Sequence, residues 1–281
     1  MKIGLYKRNL SASFRSEFEQ LSSALHRHHV DTEEVCGQIP DGHYDFIFSI
    51  GGDGTLLSAV HLIADRAIPV VGINFGHLGF LTTVGREDCL PSTSAVGPFD
   101  LLIEDLLSGH YTVEPRTLLH VDLNTPVPGS PLSALNEVSL HRVDDTNLLR
   151  TDLYVDNDFV ASYDGDGLLV ATPTGSTAYS LSCGGPILTP DCGCFVVTPI
   201  AVHNLSLRPI IVPDSAVLRL VTADGATVNL GTDSRYLMLA GGSEITLTRE
   251  NYTVPLVRLR DQSFFSAIHQ KLSWGASVRT R

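Results

Sequence analysis

The feature that most constrains this chain is a change of hydrophobic period about a third of the way along it. Up to about Gly97, short apolar runs alternate with amphipathic stretches. Ile3 to Tyr6, Asp45 to Ile50 (DFIFSI) and Ile68 to Asn74 (IPVVGIN) read as strands, while Ser11 to His29, with Phe14, Phe18, Leu21 and Leu25 on one face, and Thr55 to Arg66 read as helices. Strands with few polar positions, separated by helices, predict a parallel sheet covered by helices. Phe99 to Leu107 predicts a last helix. From Tyr111 onward, runs such as LLHVDL, ALNEVSLHRV, GLLVAT and VPLVRLR alternate apolar with polar residues between turns, the pattern of an antiparallel sandwich. Ser263 to Trp274 returns to a helical period. The expected fold class is therefore α/β plus β. An N-terminal α/β domain with a parallel sheet spans 1–108, completed by a C-terminal helix within 263–281 that returns to pack on it, and an antiparallel β-sandwich spans 109–262. Leu123 to Pro131, with three prolines, is expected to be an exposed loop.

Composition narrows the function classes. Nineteen Lys plus Arg against 31 Asp plus Glu give a net charge of −12, which repels phosphate polymers and acidic membranes, so neither nucleic acid nor membrane is an expected partner. The five cysteines are odd in number and unpatterned, and MKIGLYKRNL lacks the apolar run of a signal peptide, so the expected location is the reducing cytoplasm. The only lysines are Lys2, Lys7 and Lys271. An anionic ligand bound by the middle of the chain must then be held by backbone amides, arginine or a metal.

The strongest local signal is Gly51-Gly52-Asp53-Gly54-Thr55, after the strand DFIFSI and before a helix. Glycines allow a tight turn with exposed N–H groups, and the helix start adds unpaired donors and a positive dipole end. Gly51, Gly52, Gly54 and Thr55 are thus candidate phosphate-binding residues. Asp53 would repel phosphate unless it binds a metal or meets a hydroxyl to be deprotonated; the alternative is a plain strand-to-helix turn with an aspartate cap. A P-loop is excluded, because no lysine can supply its motif, and the dinucleotide fingerprint fails at Leu57, where its third glycine should stand.

A second cluster runs from Asp166-Gly167-Leu168 through Thr172-Pro173-Thr174-Gly175-Ser176-Thr177-Ala178-Tyr179-Ser180-Leu181-Ser182 to Gly184-Gly185-Pro186. A loop dense in hydroxyls with one tyrosine suits a sugar and a base, or satisfies its own backbone as a Ser/Thr turn. Between the clusters lie NFGHLGFL, from Asn74 to Leu81, and the pair Asn136-Glu137. Adjacent side chains point to opposite faces of a strand, so this pair can share a ligand only where a strand ends or bulges.

In this order and at these separations, GGDGT, GHLGF, the Asn-Glu pair and DGL…TPTGSTAYSLS…GGPI resemble the NAD kinase family, from about Asp45 to Pro209. GGDG alone is shared with diacylglycerol and sphingosine kinases and 6-phosphofructokinases; TPTGSTAYSLS is far more specific. The resemblance implies a two-domain subunit with the active site between the domains, assembly as a homodimer or homotetramer, and transfer of a phosphoryl group from ATP, or polyphosphate, to the 2′-hydroxyl of the adenosine ribose of NAD, with Mg²⁺ or Mn²⁺. It makes Asp53 the proton acceptor. It also places Asp53, Gly54, Phe80, Asn136, Glu137, Asp164, Asp166, Thr177, Ala178, Tyr179, Ser180, Leu181, Ser182 and Arg235 along the dinucleotide site, and leaves the metal ligands unknown. Three positions depart from the family pattern. Ser58 and Asp164 stand where basic residues are frequent, and Asp233-Ser234-Arg235 replaces an Asp-Gly-Gln type segment. The rival readings are a lipid or sugar kinase of the same superfamily and a non-catalytic pyridine-nucleotide sensor. His26, His28 and His29 read as a solvated helix end, Cys192-Gly193-Cys194 as a loop with free thiols, His203 as structural, and Phe264, Phe265 and Trp274 as docking residues of the last helix.

Overall fold

The computed structural model describes residues 1–8, 14–76, 79–85, 99–125, 127, 132–143, 147–225, 227–259 and 262–274. The chain divides into two compact units: Met1–Pro115 with Val254–Arg281, and Arg116–Thr253.

The first unit is built on β1 (Lys2–Lys7), α1 (Arg15–Arg27), β2 (Asp31–Val35), β3 (Phe46–Ile50), α2 (Asp53–Ile63), β4 (Val70–Ile73) and α3 (Asp100–Leu107). Its strands are parallel in the order β2-β1-β3-β4. Every residue of β3 and β4 is buried, as their nearly continuous apolar sequence, interrupted by Ser49 in β3, requires of central strands. The core gathers Ile3, Leu5, Phe46, Phe48, Ile50, Val71 and Ile73 from the sheet with Leu21, Ala24 and Leu25 of α1 and Leu102, Ile103 and Leu106 of α3. Sequence periodicity misses β2, because DTEEV is an edge strand with only Val35 buried; it is tied to β1 by Lys2–Glu33 and Lys7–Glu34 ion pairs. Of the histidines ending α1, His28 bonds Asp100 at 2.9 Å, and Arg27 pairs with the same carboxylate at 2.7 Å.

The second unit is antiparallel. It holds β5 (Tyr111–Leu123, whose first residues belong to the other unit), β6 (Leu132–Ala134), β7 (Glu137–Arg142), β8 (Leu149–Val155), β9 (Asp158–Gly165), β10 (Gly167–Ala171), the short α4 (Tyr179–Ser182), β11 (Cys194–Ile200), β12 (Ile210–Pro213), β13 (Leu218–Thr222), β14 (Val228–Thr232), β15 (Arg235–Leu239) and the N-terminal part of β16 (Glu244–Leu259). One sheet has the order β12-β11-β10-β7-β14-β15; β16, β13, β8 and β9 follow one another in the ten-stranded sheet that also holds β2, β1, β3 and β4, with β5 paired to β16 and β6 to β5. Val138, Leu140, Leu168, Val170, Phe195 and Leu230 from the first meet Leu149, Leu153, Leu218, Leu220, Ile245 and Leu247 from the second in one core. The expected sandwich is therefore present. Most of Leu123 to Pro131 lies outside the described residues.

The first unit is completed by the end of β16, where Leu256 pairs in parallel with Val70, and by α5 (Phe264–Leu272). Ser263 and Ser266 form a capping box at its start. This helix buries Ala267 and Ile268. Phe265 and Trp274 are 61% and 58% exposed, so those two aromatics do not dock it, contrary to the sequence expectation; Ala267 and Ile268 do.

Candidate active site

In the first unit, β3 runs straight into Gly51, whose φ of +147° belongs to glycine and whose absent side chain leaves room for Thr55 Oγ1; a Cβ would stand 2.4 Å from that oxygen. Gly52 is extended and caps α2, its carbonyl accepting the N–H of Thr55 at 2.8 Å. The helix starts two residues before the expected Thr55, so Asp53 and Gly54 lie in its first turn, where N–H groups have no intrahelical acceptor and the dipole is positive. The phosphate-binding candidates Gly51, Gly52, Gly54 and Thr55 all surround that helix start.

Asp53 is fixed rather than loose. Its Oδ2 accepts the N–H of Phe80 at 2.9 Å and its Oδ1 that of Leu81 at 3.2 Å. Gly79 makes this possible: a Cβ there would lie 1.7 Å from Asp53 Oδ1, so the glycine before Phe80 is the space the carboxylate occupies. The segment is anchored by Thr82 Oγ1, which accepts the Gly79 N–H, and by Thr83 Oγ1, which donates to Val257 at 2.7 Å. The Phe80 carbonyl accepts from the buried guanidinium of Arg258 at 3.4 Å, itself paired with Glu114 at 3.1 Å. The ammonium of Lys271, on α5, lies 4.3 Å from the Phe80 ring centroid. His77 and Leu78 of the GHLGF stretch lie outside the described residues.

In the second unit, Asp233 organises the Asn-Glu pair. From the two-residue turn between β14 and β15, at φ +53°, its carboxylate accepts the N–H groups of Leu135 at 2.8 Å, Asn136 at 2.8 Å and Glu137 at 3.2 Å. Glu137 opens β7, so the pair sits at a strand start. Asn136 Oδ1 and Glu137 Oε2 are both buried without a hydrogen-bond partner. Burial first, and the charge of Asp233 second, push the Glu137 carboxyl up to about 8. The hydroxyl-rich loop is pressed against this pair: a Cβ on Gly175 would come within 2.1 Å of the Asn136 carbonyl, and Thr172 N–H donates to that carbonyl at 2.9 Å.

Much of the loop's polarity is turned inward. Thr172 Oγ1 donates to Leu135, Ser176 Oγ to Pro173, and Ser180 Oγ shares a bond of 3.0 Å with Thr198. Thr172, Ser176 and Ser180 are wholly buried. Thr177 and Ala178 are half-buried, Tyr179 and Ser182 exposed. The Tyr179 ring stacks on His141 at 5.7 Å between centroids, and burial lowers the His141 pKa while Asp166 opposes it. Asp166 in turn pairs with Arg142 at 2.7 Å.

Residues 5–94 match the ATP-NAD kinase N-terminal domain and residues 135–259 the ATP-NAD kinase C-terminal domain. An NAD kinase of Porphyromonas gingivalis is 43% identical over 87% of this chain and 82% of its own, and one of Christiangramia forsetii is 36% identical over 98% and 92%. The chain belongs to the NAD kinase family. Among solved structures, yeast NADH kinase complexed with NADH covers 100% of this chain and 90% of its own with a TM-score of 0.85 and 25% identity; an NAD kinase from Archaeoglobus fulgidus in complex with ATP covers 97% and 99% at 0.77 and 25%.

Within this family fold, the three departures have local explanations. Ser58 Oγ accepts a hydrogen bond of 3.3 Å from Arg8 at the end of β1, so a guanidinium from another element stands beside that position. Asp164 faces Arg150 across the β8–β9 ladder, and its carbonyl accepts the His203 N–H at 2.8 Å. Arg235 donates to the Ser133 carbonyl at 2.8 Å, with its pKa lowered by burial. Sequence reasoning missed the roles of Asp233, Gly79, Arg258, His141 and Lys271. For Lys271 a signal existed: it is the one lysine beyond position 7.

Proposed function

We propose that this NAD kinase transfers the terminal phosphoryl group of ATP to the 2′-hydroxyl of the adenosine ribose of NAD, giving NADP and ADP. The glycine turn and helix start of the first unit receive the donor phosphates through main-chain N–H groups, and the second unit holds the dinucleotide. As the ribose oxygen bonds to the γ-phosphorus, the bond from that phosphorus to the β,γ-bridging oxygen breaks, ADP takes the electron pair, and Asp53 takes the hydroxyl proton. A carboxylate is a weak base toward a ribose hydroxyl, so this transfer comes late, once bonding to phosphorus has made the proton acidic. The two main-chain donors on Asp53 hold its oxygens in place for that moment.

The observation that favours a nucleotide over a lipid acceptor is the pair of buried, unpartnered oxygens on Asn136 and Glu137 beside a hydroxyl-rich loop. Such groups are costly to bury unless a ligand bearing hydroxyl or amino groups meets them. Thr177, Ala178, Tyr179 and Ser182 line the same pocket in this reading, with Leu181 beside them. Ser180 shapes the loop from inside through Thr198. Against a sensor without turnover stands the retained Asp53 carboxylate in the glycine turn, held by the Phe80 and Leu81 N–H groups.

Among the described residues no three His, Cys, Asp or Glu side chains come together as a metal site. In this reading the divalent ion arrives with the donor phosphates, as the magnesium or manganese nucleotide, since Mg²⁺ is commonly held by substrate phosphates together with one or two carboxylates. We place the enzyme in the cytoplasm as a homo-oligomer. The test is a coupled assay of NADP formation from NAD and ATP. Turnover that stops with a chelator and returns with Mg²⁺ or Mn²⁺ supports the reading. A chain that binds NAD but never forms NADP is a sensor, and metal-independent turnover removes the ion from the donor.

A further inference from the structure

Lys271 is the only lysine in the chain beyond position 7, and the fold brings it to the GGDG turn. It sits near the end of α5, 4.3 Å over the ring of Phe80, the residue whose N–H holds Asp53 Oδ2 at 2.9 Å. Among the described residues it forms no ion pair: Lys2 and Lys7 each pair with a glutamate of β2, whereas no carboxylate stands within 4.0 Å of the Lys271 ammonium. A half-buried, unpaired ammonium in a strongly acidic protein is unusual. Burial lowers its pKa, the charge of Asp53 works to raise it, and Arg258 adds to the lowering. Asp53 is thus close enough to act through space and too far to neutralise Lys271 directly. Arg258 is already committed to Glu114 and the Phe80 carbonyl.

We infer that Lys271 is a catalytic residue whose ammonium binds the terminal phosphate of the nucleotide donor and neutralises charge on the phosphoryl group as it moves. This rests on the kinase reading above and deepens it. An anion arriving beside Asp53 needs a local cation, main-chain N–H groups carry only partial charge, and Lys271 is the free ammonium at that place. The Phe80 ring gives it an apolar and quadrupolar seat that holds the cation without cancelling its charge. The C-terminal helix thereby supplies what the lysine-free middle of the chain lacks.

Two measurements test this. The first is acetylation footprinting of the wild-type protein, read as peptides by mass spectrometry, with Lys2 and Lys7 as internal controls. The probe is a non-hydrolysable ATP analogue with Mg²⁺. It should protect Lys271 several-fold, leave Lys2 and Lys7 unchanged, and protect far better than NAD alone. The second compares Lys271→Gln with Lys271→Arg. Loss of one stabilising donor at a transferring group costs on the order of 10²-fold, so the Gln variant should lose about that in kcat/KM for ATP while its equilibrium affinity for NAD stays within about three-fold, and Arg should restore most of the loss. Unchanged acetylation with the analogue, or wild-type kcat/KM for ATP in the Gln variant, overturns the assignment. If the wild-type chain makes no NADP, the kinase reading fails. The footprint still decides, without turnover, whether Lys271 meets a nucleoside triphosphate.

Discussion

Replacing Glu137 with Gln should make the protein's stability less sensitive to pH, by an amount the structure fixes. The carboxyl is pushed from its ordinary 4.5 up to about 8 by burial and by Asp233. The folded chain therefore holds this proton more tightly than the unfolded chain does. The group's contribution to stability is fully present below about pH 4.5, declines as the pH rises, and is gone once the pH passes about 8. Glutamine keeps the shape and cannot titrate. The stability of the Gln variant relative to wild type should accordingly rise by about 3 kcal/mol between pH 5.5 and 8.5, from the linkage relation and those two pKa values. Urea unfolding of both proteins at several pH values, without nucleotide, measures this difference directly, and other titrating groups cancel in the subtraction. Parallel stability curves for the two proteins would refute the reasoning, since they would mean that Glu137 is ionised in the fold as in the unfolded chain.

Gly79→Ala puts a methyl group where Asp53 Oδ1 now lies, 1.7 Å from the ideal Cβ; a catalytic group displaced by about 1 Å loses on the order of 10²-fold in rate, so kcat should fall by about that much with NAD affinity within a few-fold, and steady-state kinetics with NAD titration checks both. Asp233→Ala removes the acceptor of three main-chain N–H groups, which should raise the Kd for NAD at least about ten-fold and destabilise the fold by about 1–3 kcal/mol for each donor left buried and unpaired; Asp233→Asn should do less, as measured by NAD titration and urea unfolding.

How much of this was legible in the sequence depends on whether a residue acts locally. The α/β architecture is readable because β3 and β4 carry apolar residues on both faces, and the sandwich because its strands alternate. Asp53 is readable because an acid inside a glycine turn is locally anomalous. β2 is hidden because an edge strand needs little apolar sequence. Asp233, Gly79 and Lys271 are hidden for a different reason: each acts on a residue at least 26 positions away, and nothing in a turn, a glycine or a helical lysine announces its partner. The loop TPTGSTAYS shows the converse. Its composition suggests a row of ligand-facing hydroxyls, yet Thr172, Ser176 and Ser180 point into the protein, because a loop folded so tightly against Asn136 must satisfy its own backbone.

The most direct test of the account is to follow labelled γ-phosphate from ATP into NAD and locate it by mass spectrometry, in the wild-type protein and in Asp53→Asn. Label is expected on the 2′-oxygen of the adenosine ribose with the wild type. Almost none is expected with Asp53→Asn, although NAD still binds within a few-fold, and none with an NAD analogue that carries hydrogen at that carbon. Label at any other hydroxyl, or normal turnover by Asp53→Asn, would contradict it.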